Sequence, residues 1–165
     1  MSRCRLATPA DAAAIAAIYN EGIEDRIATF ETRHRSPDDI LVWFSGGHPV
    51  VVVEDAGEIV AFAGTSTYRS RPCYAGIAEF SVYVARTHRR RGHGRAAMEA
   101  LCEAAERAGF WKIVSRVFVE NTASRELLKR VGFREVGVYR RHGKLDGVWR
   151  DAVIVEKLLG EAAQM

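Results

Sequence analysis

A β-branched run, Ile77 to Val84, leads through a short connection into Arg89-Arg90-Arg91-Gly92-His93-Gly94-Arg95, and that basic, glycine-bearing turn opens a helix. Met98, Leu101, Cys102 and Ala105 form one apolar stripe on the helix, and Gly109 is placed to end it. The segment is therefore strand, turn and helix, and the rest of the chain alternates in the same way. Arg3 to Ala7 is predicted as a short strand. Thr8-Pro9-Ala10-Asp11 then reads as a helix opening, with Thr8 as N-cap and Pro9 at the first helical position. Ser36-Pro37-Asp38-Asp39 repeats that signal before Ile40, Trp43 and Phe44, and Glu24 to Arg35 between the two helices is predicted as a loop with a buried Phe30. Pro49 to Glu54 and Glu58 to Thr67 form a hairpin through Asp55-Ala56-Gly57. Phe110 to Val119 is a further strand, Asn121 opens a helix that Gly132 closes, and Phe133 to Tyr139 and Asp151 to Leu159 are final strands with a polar loop between them. The expectation is an α/β chain, residues 1–165 as a single domain, with the order β-α-α-β-β-β-α-β-α-β-β.

Composition narrows the function. The 165 residues are 48% apolar and 27% charged, which suits a soluble globular chain and is too apolar for disorder. No apolar run approaches the roughly 18–20 residues of a membrane span. The start, Met1-Ser2-Arg3-Cys4-Arg5, has no hydrophobic signal core, so a cytoplasmic protein without membrane partners is expected. Cys4, Cys73 and Cys102 are odd in number and widely spaced, which suits a reducing compartment better than a disulfide framework. None of the five histidines has ligand spacing, and His88 and His93 lie in a basic turn that repels a cation, so no metal is expected. The net charge is only +3, yet Arg86, Arg89, Arg90, Arg91 and Arg95 cluster. A local basic patch on a weakly charged chain points to a small anionic ligand and away from nucleic acid.

Backbone N–H groups at a helix start converge on an anion, and glycines let the backbone approach phosphate closely. The arginines add charge suited to a pyrophosphate and a further phosphate. The spacing is not the G-x-G-x-x-G of a dinucleotide fold.

Arg-x-x-Gly-x-Gly after a strand, followed by Asn121-x-x-Ser124 and Val131-Gly132-Phe133, resembles the GNAT superfamily of acetyl-CoA-dependent N-acetyltransferases. Within it, Ile18-Tyr19-Asn20, Ala28-Thr29-Phe30-Glu31-Thr32, Arg71-Pro72-Cys73-Tyr74, Glu79-Phe80-Ser81-Val82-Tyr83-Val84 and Gly147-Val148-Trp149-Arg150-Asp151 are similar to the phosphinothricin acetyltransferase group. That group includes the arsinothricin-resistance enzymes, which the segment Tyr139 to Gly147 resembles. The resemblance implies a GNAT-type fold, a mixed and mostly antiparallel central sheet flanked by helices. It implies acetyl-CoA against Val82, Tyr83 and Val84, its pyrophosphate on Arg90, Arg91, Gly92, His93, Gly94 and Arg95, and its pantetheine arm near Asn121. It also implies a homodimer, a small amino-acid substrate walled by Phe30 and Tyr74, and basic positions at Arg69 and Arg71 that contact it.

Glu79 is the candidate catalytic residue. A carboxylate inside a β-run is unusual, because strands that pack helices favour apolar side chains. An acceptor amine resembling Lys has a pKa of about 10 and must lose a proton before it attacks a thioester. The family places its glutamate here. The chain departs from the family at Leu128, where relatives carry His or Tyr; Leu can neither give nor take a proton. Tyr83 and Tyr139 are then the remaining donors. His142 and Lys144 are further candidates for reaching a partner subunit's site. Two other readings remain open: acetylation of a protein amino terminus or lysine, and a non-catalytic acetyl-CoA-binding module.

Overall fold

The computed structural model describes residues 1–165. Strand β1 (Ser2–Leu6) precedes helices α1 (Ala12–Glu24) and α2 (Pro37–Leu41). Strands β2 (Val50–Asp55), β3 (Glu58–Thr67) and β4 (Ile77–Val84) follow, then α3 (His93–Arg107), β5 (Lys112–Phe118), α4 (Thr122–Val131), β6 (Arg134–Leu145) and β7 (Val148–Leu158). The element order is the one expected. The strands form one sheet in the order β1-β2-β3-β4-β5-β7-β6, and only β4 with β5 is parallel.

Alternation along the strands sorts the two faces. Ala61, Ala63, Ala78, Phe80, Ile113 and Val153 point toward α3 and α4, where Met98, Leu101 and Leu128 are fully buried against them. Val50, Val52 and Phe62 face the opposite way and are covered by Ile15 and Ile18 of α1 and by Ile40 of α2. Each of the larger aliphatic side chains contributes about 1.5–3 kcal/mol by leaving water.

Two expectations are corrected. The opening at Thr8-Pro9 produces a single 3-10 turn, Pro9–Asp11, and the α-helix begins only at Ala12. The Asp11 carboxylate accepts from the Thr8 N–H at 2.8 Å and from both Arg5 Nη atoms at 2.8 and 2.9 Å, which ties that turn to β1. The second correction concerns the polar stretch before Asp151. It is not a loop, because β6 and β7 continue as a long hairpin to a two-residue turn, Asp146-Gly147. Both turn residues have positive φ (51° and 78°), the geometry of a hairpin turn that matches strand twist and that Asp-Gly favours.

The parallel pairing of β4 with β5 covers only Ile77 with Lys112, Ala78 with Ile113 and Glu79 with Val114. Beyond Glu79 the strands part. The Phe80 carbonyl, which would continue the ladder, accepts instead from the Ser115 hydroxyl at 2.9 Å. On its other edge β4 stays paired with β3 as far as Val84 with Ala61.

The paired Arg5 guanidinium holds the buried Asp11 carboxyl below the usual carboxylate range. A carboxyl depressed in the folded state stabilises the fold above its unfolded pKa of about 4, and the gain disappears as pH falls through the folded value. Asp11→Asn should therefore cost about 2 kcal/mol at pH 7, with a difference from wild type that shrinks steadily below pH ~4 in urea unfolding titrations.

Candidate active site

The parting of β4 from β5 opens a cleft of about 800 Å³ lined by Val82, Tyr83, Val84, Arg90, Gly92, Gly94, Arg95 and Asn121. The Ala85 N–H donates to the Val60 carbonyl at 2.7 Å. Amide directions alternate along an antiparallel pair, so Tyr83 N–H also faces β3, while those of Val82 and Val84 face the open side. These are two backbone donors with no strand to receive them.

At the far end of the cleft, Gly92 caps α3 in a left-handed conformation (φ 83°) and no side chain caps the helix. The first intrahelical bond comes from Ala96 to the Gly92 carbonyl, so the N–H groups of His93, Gly94 and Arg95 remain for a ligand. Together with the helix dipole they form a preorganised anion cradle. His93 lines the cleft and is 6% exposed, and neither ring nitrogen has a hydrogen-bond partner.

The arginine cluster divides by role. Arg86 binds Glu24 at 3.2 Å and Asp25 at 2.9 Å, and Arg89 binds Asp25 at 2.7 Å. Burial pushes the Asp25 carboxyl up, but the two guanidiniums outweigh it and hold it below the usual carboxylate range. Arg86 and Arg89 thus anchor the turn to the end of α1. Arg95 pairs with Glu99 at 2.7 Å on the exposed side of α3. Arg90 and Arg91 make no ion pair and are the free charges of the turn.

Asn121 caps α4 by accepting from Ser124 N–H at 3.2 Å, and both residues line the main cleft and a smaller cavity of about 50 Å³ between β4 and β5. Leu128, 1% exposed, forms an apolar wall of that cavity. Tyr83 is a poor proton donor: its ring packs in one aromatic cluster with Tyr19 at 5.0 Å and Phe62 at 5.5 Å, and burial pushes its hydroxyl pKa up. It contributes a wall to the cleft. Tyr139 stacks on His142 at 4.6 Å.

Glu79 projects from β4 where the ladder ends. Its Oε1 lies 3.3 Å from Arg116 Nη2 and 3.8 Å from Arg69 Nη1. Arg69 packs over the Tyr68 ring at 4.3 Å, and Tyr68 meets Tyr74 edge-on at 5.8 Å. Arg71 precedes the short turn Pro72–Tyr74 and forms no ion pair with Glu79. Phe30 meets Phe118 edge-on at 4.8 Å and lies against Gly143 of β6. The loop carrying Phe30 is pinned by Asn20, whose amide brackets the Arg35 backbone at 2.7 and 2.9 Å, and by the Arg26–Asp146 ion pair at 3.2 Å. Sequence reasoning missed Arg116. The available signal was the one that found Glu79, a charge inside a predicted strand.

The chain matches the Acetyltransferase (GNAT) family over residues 15–133, and it belongs to that family. Its sequence is 31% identical over 163 residues to the L-methionine sulfoximine/L-methionine sulfone acetyltransferase of Salmonella typhimurium, spanning 96% of this chain and 95% of that protein. A phosphinothricin acetyltransferase from Sinorhizobium meliloti, solved in complex with acetyl-CoA, superposes with a TM-score of 0.91 at 28% identity, over 99% of this chain and 91% of the other. A ribosomal-protein-alanine N-acetyltransferase from Brucella melitensis superposes with a TM-score of 0.90 at 30% identity, over 95% and 99%. The chain is thus an acetyl-CoA-dependent N-acetyltransferase. Its cleft suits that donor: uncapped amides and the unpaired Arg90 at one end, open strand amides at the other, with Arg91 adjacent in the chain but outside the lining.

Proposed function

We propose that this chain acetylates the α-amine of a small acidic amino-acid analogue of the phosphinothricin, arsinothricin or methionine sulfoximine type. The observation that carries the reading is one carboxylate, Glu79, touched by two guanidiniums at the point where β4 opens. Such a site offers an acceptor for the substrate ammonium and donors for its anionic groups within one side-chain length. The names of the relatives support the same class of acceptor.

Acetyl-CoA supplies an activated acetyl thioester. Amides of His93, Gly94 and Arg95, with Arg90, Arg91 and the Gly92 turn, hold its pyrophosphate. Val82 and Val84 N–H groups orient the pantetheine arm and polarise the thioester carbonyl, with Asn121 alongside. Glu79, directly or through a water, takes a proton from the ammonium. The amine nitrogen then bonds to the acetyl carbon, the carbon–sulfur bond breaks, sulfur leaves with the electron pair, and the nitrogen's second proton passes to the thiolate to give the neutral amide and free CoA thiol. A thiol of pKa about 8.5 leaves without much assistance, which makes the apolar Leu128 tolerable. Transfer is direct, within a ternary complex. Arg69 and Arg71 clamp the acidic end of the acceptor, with Phe30 and Tyr74 as walls. The three free cysteines support a cytosolic setting, and the exposed Val136, Val138 and Trp149 of the β6–β7 hairpin support a homodimer.

The Brucella neighbour favours a second reading, acetylation of a protein amino terminus. Against it, the loop of Phe30 closes over the acceptor side and is tied to the hairpin tip. CoA release should be measured with phosphinothricin, arsinothricin, methionine sulfoximine, glutamate and short peptides. Strong turnover on one of the three analogues is expected; turnover on peptides alone would replace this reading with the second. Glu79→Gln should lower kcat by about 10²–10³-fold while leaving the KM for acetyl-CoA unchanged. An unaltered kcat would remove Glu79 as the base.

A further inference from the structure

Arg116 reaches Glu79 from β5, across the gap where the two strands have parted. One of its terminal nitrogens lies 3.3 Å from Glu79 Oε1, and the other lies 3.2 Å from His142 Nε2. His142 is itself held by its stack on Tyr139, within a β6 irregularity where the Arg141 N–H donates to Asp151 Oδ1 at 2.7 Å. The guanidinium is therefore steered from behind while its side chain stays 41% exposed.

The contact with Glu79 is a poor use of a guanidinium. Arginine grips a carboxylate best through two parallel N–H bonds. Here a single nitrogen reaches a single oxygen, and Arg69 approaches the same oxygen at 3.8 Å. A substrate ammonium on Glu79 would compete for that oxygen and free Arg116. In an α-amino acid the carboxylate is attached to the same carbon as the amine. It therefore arrives beside the ammonium, as Arg116 lies beside Glu79. One weak ion pair is exchanged for two, and no charge is stranded. A peptide amino terminus carries a neutral amide at that carbon and would leave Arg116 without a counter-ion. Arg69 is a worse candidate, because it is held over Tyr68 and donates to the Tyr68 carbonyl at 2.9 Å.

We propose that Arg116 binds the free α-carboxylate of the acceptor and is the residue by which the site selects amino acids over peptide amino termini. The inference rests on the amino-acid reading above and adds the group that enforces it.

The test compares kcat/KM for phosphinothricin and for its α-carboxamide, in wild type, Arg116→Gln, Arg116→Met and Arg116→Lys. Wild type should prefer the free acid by about a hundredfold. The Gln and Met variants should bring that ratio to within about threefold, with the KM for acetyl-CoA unchanged, and Lys should restore part of the preference. The ratio is internal to each protein, so a general loss of Glu79 efficiency cancels. Met preserves the apolar stem of the side chain and serves if Gln disturbs β5. A preference for the acid that survives in folded Gln or Met variants would overturn the role of Arg116 and leave the amino-acid reading standing. Wild-type turnover confined to peptides would overturn both.

Discussion

The parallel ladder between β4 and β5 runs from Ile77 with Lys112 to Glu79 with Val114 and then stops, in the middle of a sheet whose other pairs continue. A buried backbone group without a partner is costly, so a gap of this kind persists only if other groups or a ligand use it. The Ser115 hydroxyl takes the Phe80 carbonyl, and the amides of Val82 and Val84 are left facing the cleft. The place proposed for the acetyl donor is the gap where a strand has been withheld. Glu79, the last β4 residue in the ladder, sits at the boundary between the closed sheet and the opening.

Charge is arranged around that gap in two tiers. Glu24 and Asp25 at the end of α1 consume Arg86 and Arg89, which fixes the turn before α3. Arg90 is then presented beside the uncapped amides, and neither it nor Arg91 is tied up in an ion pair. On the acceptor side the signs are reversed: one carboxylate is surrounded by Arg69 and Arg116. The first tier suits a polyanionic donor. The second suits a zwitterion that carries an extra acidic group.

Most of the frame was legible because burial and periodicity agree. Alternation along Ile77 to Val84 puts Ala78 and Phe80 on one face and Glu79 on the other, and in the structure the first face packs into the core under α3. The tip of the β6–β7 hairpin was not legible from burial, since β6 lies on the sheet edge with most of its side chains exposed and carries no apolar alternation. Its only local mark was Asp146-Gly147. Arg116 escaped for a different reason. Its significance depends on the diagonal distance between two parallel strands that part, and nothing in the spacing of residues 79 and 116 reports that distance.

The placement of acetyl-CoA in the β4–β5 opening is tested most directly by amide hydrogen exchange with and without the donor. Slowed exchange at Val82, Val84, His93, Gly94 and Arg95, with the centre of β2 unchanged, is the predicted result. Binding of acetyl-CoA without protection at the two strand amides and at the start of α3 would contradict it.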